Sequence, residues 1–272
     1  MKWAYIIDEL EEISISGNGC HYLESEITEV ETRTKEQEMP GRDGVLVGSN
    51  TFGSFELTLK FYYDGVDNSD LILFTEKIKK IVHTRNPMYV VHSEMPGRKY
   101  AFNSAKIEWE KITNSDMSFS ITFNCYRGFS ESLKDTSDID FLSEYWQYEN
   151  GIVSEEIQYT FDNKRFSVFN GSSDTINPII GHKLKIVIRG SGSNGFNITN
   201  HHTNQTFEYK GSLSNSQTFV LDGVHPLIDG KRVGYNTNYE WISLKEGYNN
   251  IEIEGIGFTI KSVEFIFDFI YR

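Results

Sequence analysis

Cysteine is almost absent from the 272-residue sequence. Cys20 and Cys125 are the only two, too few for a disulfide framework or a cysteine-rich zinc centre. Alanine and leucine are scarce for a helical protein, at 3 and 14, against 28 isoleucines, 19 phenylalanines, 15 tyrosines and 14 valines. That inversion rules out an all-helical fold. Codon bias in AT-rich DNA inflates isoleucine and tyrosine too, so the arrangement of these residues has to decide. No run approaches the ~20 apolar residues that span a bilayer. Met1-Lys2-Trp3-Ala4-Tyr5 leads at once into Asp8 and Glu9, so the expectation is assembly in a cytosol without membrane insertion. Basic charge is short as well: Lys and Arg total 26 against 39 acids, a net charge of −13 that disfavours gripping nucleic acid or anionic membranes.

What the chain does have is alternation, over a length that admits two domains at roughly 100–200 residues each. Phe55, Leu57, Leu59, Phe61 and Tyr63 share one side of a half-buried strand, with Glu56, Thr58, Lys60 and Tyr62 on the other. From Leu71 the period changes. Leu71, Phe74, Ile78 and Ile81 or Val82 form a helical stripe over about 70–83, with Ser69 or Asp70 able to cap it and Asn86-Pro87 to stop it. Met88 to His92 and Tyr100 to Glu110 read as strands around a Met95-Pro96-Gly97 turn, and Phe119, Ile121, Phe123 and Cys125 alternate with Ser and Thr. Residues 130–141 are polar and suit a linker. The expectation is therefore a mainly β protein: a β-sandwich-like domain with one helix over 1–135, and a β-sandwich or jelly roll over 136–272. Splitting the charge at residue 140 leaves −9 before it and −4 after it. In the second half short strands recur at sandwich spacing, Asp229-Gly230 is a hairpin signal, and there is no internal repeat. Val263, Phe265, Phe267, Phe269 and Tyr271 read as one closing strand, too apolar on both faces for a solvated edge.

Chemistry is hard to find. Gly190-Ser191-Gly192-Ser193-Asn194-Gly195 spells the dinucleotide fingerprint, but Phe196 to Asn200 is no helix and Glu208 comes too early for the ribose acid, so a flexible hairpin loop is expected. The seven histidines show no zincin spacing, and His201-His202 diverge as neighbours in a turn or strand. Asn170-Gly171-Ser172, Asn197-Ile198-Thr199 and Asn204-Gln205-Thr206 match the glycosylation acceptor but read as polar turns. Glu24, Glu26, Glu29, Glu31, Glu36 and Glu38 crowd one segment, either as a solvated face or extended arm or as a surface that repels DNA. Tyr235, Tyr239 and Trp241 are either core aromatics or a platform for a sugar ring.

The order of elements carries a resemblance. Met39-Pro40-Gly41-Arg42-Asp43-Gly44, the 55–63 strand, the 70–83 helix, the turn in Met95-Pro96-Gly97-Arg98-Lys99-Tyr100 and the strand closing at Cys125 resemble the siphovirus tail component family, the distal tail proteins of long-tailed, non-contractile phages. Phe166 to Gly171 before Asn177-Pro178, and Lys245 to Ile251 before the terminal Phe267 to Arg272, resemble the C-terminal part of the same family. Tyr126-Arg127 departs from it, since a proline is expected there in many relatives. The resemblance implies a galectin-like or carbohydrate-module-like second domain and a structural role with no catalysis, cofactor or metal. It further implies a homo-hexameric ring at the virion tail tip that joins the tail tube protein to the tail-associated hub or lysin protein and supports receptor-binding proteins. DNA would pass through without specific binding, so the candidate channel and assembly residues are Glu24, Glu26, Glu29, Glu31, Glu36, Glu38, Arg42 and Asp43. The alternative is a carbohydrate-binding module for host attachment acting through Tyr235, Tyr239 and Trp241; a glycosidase ranks below both.

Overall fold

Apolar and polar side chains that alternate in the sequence lie on opposite faces of antiparallel strands. The computed structural model describes residues 2–9, 11–138 and 157–272. The chain divides into two units, Met1–Glu131 with Arg272, and Ser132–Tyr271. In order, the first contains β1 (Ala4–Asp8), β2 (Glu11–Ser14), β3 (Cys20–Ile27), four short strands β4 (Thr32–Arg33), β5 (Glu36–Glu38), β6 (Val45–Val47) and β7 (Thr51–Phe52), then β8 (Phe55–Asp64), α1 (Asn68–Val82), β9 (Met88–His92), β10 (Arg98–Lys111) and β11 (Asp116–Cys125). A short β12 (Ser130–Ser132) runs across the boundary between the units.

One antiparallel ladder carries the first unit, in the order β2-β1-β9-β10-β11-β8-β3. The β8–β11 pair runs ten residues in register, placing Phe61 opposite Phe119, Leu59 opposite Ile121 and Leu57 opposite Phe123. These inward side chains are buried, and Phe61 stacks on Phe119 at 5.0 Å and 11°. Each such side chain is worth about 1.5–3 kcal/mol in burial, with stacked pairs adding about 0.5–1.5 kcal/mol. Strand β10 serves two neighbours. Tyr100 to Phe102 pair with β9, and after a register shift between Phe102 and Ser104 the rest pairs with β11. Helix α1 closes the core with Leu71, Phe74, Ile78 and Val82, so Val82 rather than Ile81 completes the stripe, and Phe74 stacks on Tyr63 at 3.7 Å. The cap also differs from expectation. Asp67, two residues before Ser69, is extended and accepts from the Ser69 and Asp70 amides at 2.8 and 2.9 Å. Asp70 instead accepts from the Val66 amide and the Tyr63 hydroxyl.

The second unit is a sandwich. Its strands are β13 (Thr160–Phe161), β14 (Arg165–Asn170), β15 (Lys185–Ser191), β16 (Phe196–Asn200), β17 (Gln205–Tyr209), β18 (Thr218–Asp222), β19 (His225–Ile228), β20 (Lys231–Arg232), β21 (Gly247–Glu254), β22 (Thr259–Ile266) and β23 (Ile270–Tyr271). One sheet has the order β13-β22-β15-β18-β19-β20 and the other β14-β21-β16-β17. Phe219 of the first meets Phe196 at 5.1 Å and Phe207 at 5.8 Å from the second, so the core is sealed by rings from both sheets. Asp229 and Gly230, at φ 47° and 77°, make the expected two-residue hairpin between β19 and β20.

Three expectations fail here. The Gly190 to Gly195 segment is no hairpin loop, because β15 and β16 lie in different sheets. Nor is it loose: a Cβ on Gly195, at φ +74°, would stand 1.9 Å from the Tyr209 carbonyl oxygen, so glycine is required where the chain crosses. The closing strand is broken, with β22 ending at Ile266 and β23 resuming at Ile270. The described part of the polar 130–141 segment is no solvated linker, for Ser130, Glu131, Ser132 and Thr136 are buried. The last two corrections share a cause. Thr136 Oγ1 donates to the Phe265 carbonyl at 2.7 Å and accepts from the Phe267 amide at 3.0 Å, Ser132 Oγ accepts from the Phe269 amide, and Ser172 Oγ from the Ile270 amide. Side-chain hydroxyls thus pair the Phe267, Phe269 and Ile270 amides, while the carbonyls of the same three residues accept the Thr136, Ser132 and Ser173 amides. Residues 139–141 of that segment lie outside the described residues.

Candidate functional site

The polar side of the first unit's sheet forms a regular charged surface. Register places Glu108, Ser120, Lys60 and Glu24 in one row across β10, β11, β8 and β3, and Lys106, Thr122, Thr58 and Glu26 in the next. Glu110, Ser118, Tyr62 and His21 flank them on one side, and Ser104, Asn124 and Glu56 on the other. A register shift at Leu23 in β3 turns both Glu24 and Glu26 to this face. Lys60 Nζ donates to Glu26 and, at 2.9 Å, to Glu24, and these two carboxylates hold its ammonium above the usual lysine range. Lys106 pairs with Glu108 at 2.6 Å, and the Thr58 and Thr122 hydroxyls meet at 2.9 Å. Five carboxylates, Glu24, Glu26, Glu56, Glu108 and Glu110, face two lysines, leaving three net negative charges on the surface of one chain.

Both borders of this face are sheet edges. Among the described residues, Ser104 to Lys111 of β10 pair with β11 and Cys20 to Ile27 of β3 pair with β8, and the short β12 also pairs with β10. On β3 the outer side is partly blunted: Glu94 accepts from the Ser25 amide at 3.0 Å, from Ser25 Oγ, from the Tyr22 hydroxyl and from Lys2. Partial burial pushes the Glu94 carboxyl up, but those hydrogen bonds outweigh it and hold it down at about 2.

Between β3 and β8 the chain leaves the sheet as an arm. The β4–β7 and β5–β6 pairs form a two-tier hairpin, and every residue from Glu31 to Phe52 is exposed. Its tip turns at Met39 to Gly44, where Gly41 and Gly44 both take φ +79° and the Arg42 amide donates to Met39. The acidic segment is therefore divided. Glu24 and Glu26 belong to the sheet face, whereas Glu29, Glu31, Glu36, Glu38, Arg42 and Asp43 belong to the arm or its root. Glu31 pairs with Arg33 at 2.6 Å, which holds its carboxyl below the usual range. Val45, Leu46 and Val47 are exposed beside Glu36 and Glu38. Sequence reasoning missed Glu56, Glu108, Glu110 and Lys60 as members of the face. Their signal was the polar half of the alternation, which becomes a surface only once strands are paired.

In the second unit Tyr235 and Tyr239 are each 75% exposed, and Tyr239 sits at φ 60°. Trp241 is half-buried, and its indole Nε1 is enclosed without a partner. Among the described residues no ring contact joins the three into one platform. His201 and His202 do diverge, the first to Glu252 at 2.9 Å and the second to the Tyr248 carbonyl at 2.8 Å. Asn170 is buried and bonded to the Leu244 and Asp174 carbonyls, a structural turn residue. Burial pushes the Cys20 and Cys125 thiols up to about 12, so neither is a ready nucleophile. Among the described residues no group of His, Cys, Asp and Glu is arranged to hold a metal ion.

Comparison with known proteins follows the same division. The family model of the phage tail protein RIFT-related domain matches residues 9–125. No curated protein matches the chain. Among solved structures, the Dit protein of phage SPP1, described as a paradigm of the hub adsorption apparatus in phages that infect Gram-positive bacteria, is similar over 99% of both chains at 11% identity, with a TM-score of 0.70. A chain of the phage P2 baseplate in its activated conformation with calcium is similar over 99% of this chain and 98% of that one, at 9% identity and a TM-score of 0.48. Residues 9–125 thus match the phage tail protein RIFT-related domain, and the chain as a whole shares the fold of the SPP1 Dit protein.

Proposed function

We propose that this protein is a structural component of a long non-contractile phage tail, a distal tail protein whose copies form a six-membered ring. The observation that carries the reading is the four-strand face between two sheet edges. A strand edge presents unpaired amides and carbonyls, and joining the β10 edge of one copy to the far end of β3 of the next is a head-to-tail contact that closes into a ring. Glu94 guards the Ser25 end of β3, so the contact uses the strand beyond it and the root of the arm.

The ring joins the tail tube to the tail-associated hub and supports adhesion proteins in the virion, after assembly in the bacterial host cytoplasm. Its channel is lined by Glu24, Glu26, Glu56, Glu108 and Glu110, which repel phosphate so that DNA passes without sticking. The arm presents Val45, Leu46 and Val47 to an adjoining ring, since a contiguous exposed apolar patch marks an interaction surface. No step of this role is catalytic. Native mass spectrometry of the 31.4 kDa chain, alone and mixed with its tube and hub proteins, tests the reading. A species of six copies is expected in at least one of these samples; a monomer in all of them refutes it.

A further inference from the structure

Along its outer side β3 is not uniformly open. Lys2 Nζ donates to the Leu23 carbonyl and, at 3.0 Å, to Glu94, which in turn accepts from the Ser25 amide at 3.0 Å and from Ser25 Oγ. This clasp occupies the outer side of β3 as far as the Ser25 amide. Beyond it the Thr28 amide donates inward, to the Glu56 carbonyl before β8, at 2.9 Å. Backbone groups of an antiparallel strand alternate between its two sides, so those of Ile27, one residue earlier, turn outward. No strand pairs with them there among the described residues. The Ile27 side chain, opposite the buried Leu57, belongs to the core side of the sheet and is 48% exposed.

The β10 edge has the matching parity. The Ile112 amide donates to the Asp116 carbonyl at the end of the β10–β11 ladder, so by the same alternation the backbone groups of Trp109, Ile107 and Ala105 turn away from β11. The side chains of these three residues lie half-buried along the margin of the core, with the Trp109 ring 4.9 Å from that of Phe119. Rotation about a ring axis preserves strand direction. Because β10, β11, β8 and β3 alternate in direction, β3 of one copy meets β10 of the next antiparallel. Outward residues then face outward residues, and facing side chains share one side of the sheet. Ile27 can therefore oppose Ala105, Ile107 or Trp109 but not Lys106 or Glu108. Its side chain falls on the apolar margin, while Glu26 stays on the acidic face.

We propose that the Lys2–Glu94 clasp sets the register between copies: it closes β3 up to Ser25, leaves Ile27 as the pairing residue, and so seats the Ile27 side chain against Ile107 and Trp109 of the next copy. This rests on the ring reading and adds to it which residues meet and what stops them slipping, since an edge without a stop admits several registers. Disulfide trapping tests it on the full-length chain assembled with its tail tube and hub proteins. Within one chain Ile27 and Ile107 lie three strand spacings apart, about 14 Å, too far for a disulfide. The native Cys20 and Cys125 are buried. Oxidation is expected to turn Ile27→Cys combined with Ile107→Cys or with Trp109→Cys into a covalent ladder reaching six copies, whereas Ile27→Cys with Glu108→Cys, on the opposite face, gives none. Leu23→Cys with Trp109→Cys gives none either, until Glu94→Ala or the milder Lys2→Ala opens the clasp. A six-copy particle that yields no Ile27 ladder overturns the proposal and leaves the ring reading standing. So does a Leu23 ladder with the clasp intact, or none after it is opened. Monomers in every sample overturn both.

Discussion

Acid should weaken the first unit through one imidazole. His92 is fully buried at the end of β9, with Nδ1 3.3 Å from the Tyr22 hydroxyl, its ring 5.6 Å from that of Tyr100, and Nε2 without a partner. Burial pushes its pKa from 6.5 down to about 4, against a smaller opposing pull from Glu94. The unfolded chain binds a proton at this position as pH falls through 6.5, whereas the folded chain stays neutral to about pH 4. Stability is therefore complete above pH 6.5, declines from 6.5 to 4, and is level below that as far as His92 is concerned. At about 1.4 kcal/mol per pH unit the loss is about 3 kcal/mol, out of the 5–15 kcal/mol typical of a domain. On a unit of this size that lowers Tm by roughly 10 °C. Calorimetric scans of wild type and His92→Leu between pH 7 and 4.5 measure it. The variant starts less stable, having lost the Tyr22 contact, but its Tm barely moves with pH. Equal slopes in the two proteins would show that the pH dependence does not come from His92. Glu94 acts in a lower window, its contribution present above about pH 4.5 and lost as pH falls towards 2, so it does not mask the comparison.

Other substitutions probe single devices. Thr136→Val removes one hydroxyl that serves both the Phe265 carbonyl and the Phe267 amide, and urea unfolding should show the second unit weakened by about 2–4 kcal/mol. Gly195→Ala brings a methyl onto the Tyr209 carbonyl oxygen at a positive φ and should cost at least about 3 kcal/mol by the same measurement. Asp67→Ala strips the cap from two α1 amides and should cost about 1 kcal/mol in the first unit, with faster amide exchange at Ser69 and Asp70.

Much of the fold was legible because it is written in local periodicity. Phe55 to Tyr63 and Phe119 to Cys125 alternate strictly and became the paired strands at the centre of the first unit. Leu71, Phe74 and Ile78 marked the buried stripe of α1, and Asp229-Gly230 the hairpin. Failures came where the partner of a residue is distant. Nothing near Phe267 says that Thr136 will supply its hydrogen bond, so the alternation through Tyr271 read as one strand and the Ser and Thr of the 130s as a linker. The candidate face was half visible for the same reason. Glu24 and Glu26 stood out by crowding, but Glu56, Glu108 and Glu110 join them only through cross-strand register. Crowding likewise grouped Glu24 and Glu26 with the acids of the arm, which the bend out of the sheet separates. The Arg165, Glu252 and His201 cluster had no local signal, being assembled from two strands and the turn after a third.

We propose that copies of this chain close edge to edge with the acidic sheet face turned inward. Electron cryo-microscopy of the protein assembled with its tail tube and hub proteins tests it most directly. The expected map is a six-fold ring in which β10 of each copy adjoins β3 of the next and Glu24, Glu26, Glu56, Glu108 and Glu110 line the central channel. A ring whose channel is lined mainly by Lys and Arg, or one that carries this face on its outside, would contradict it.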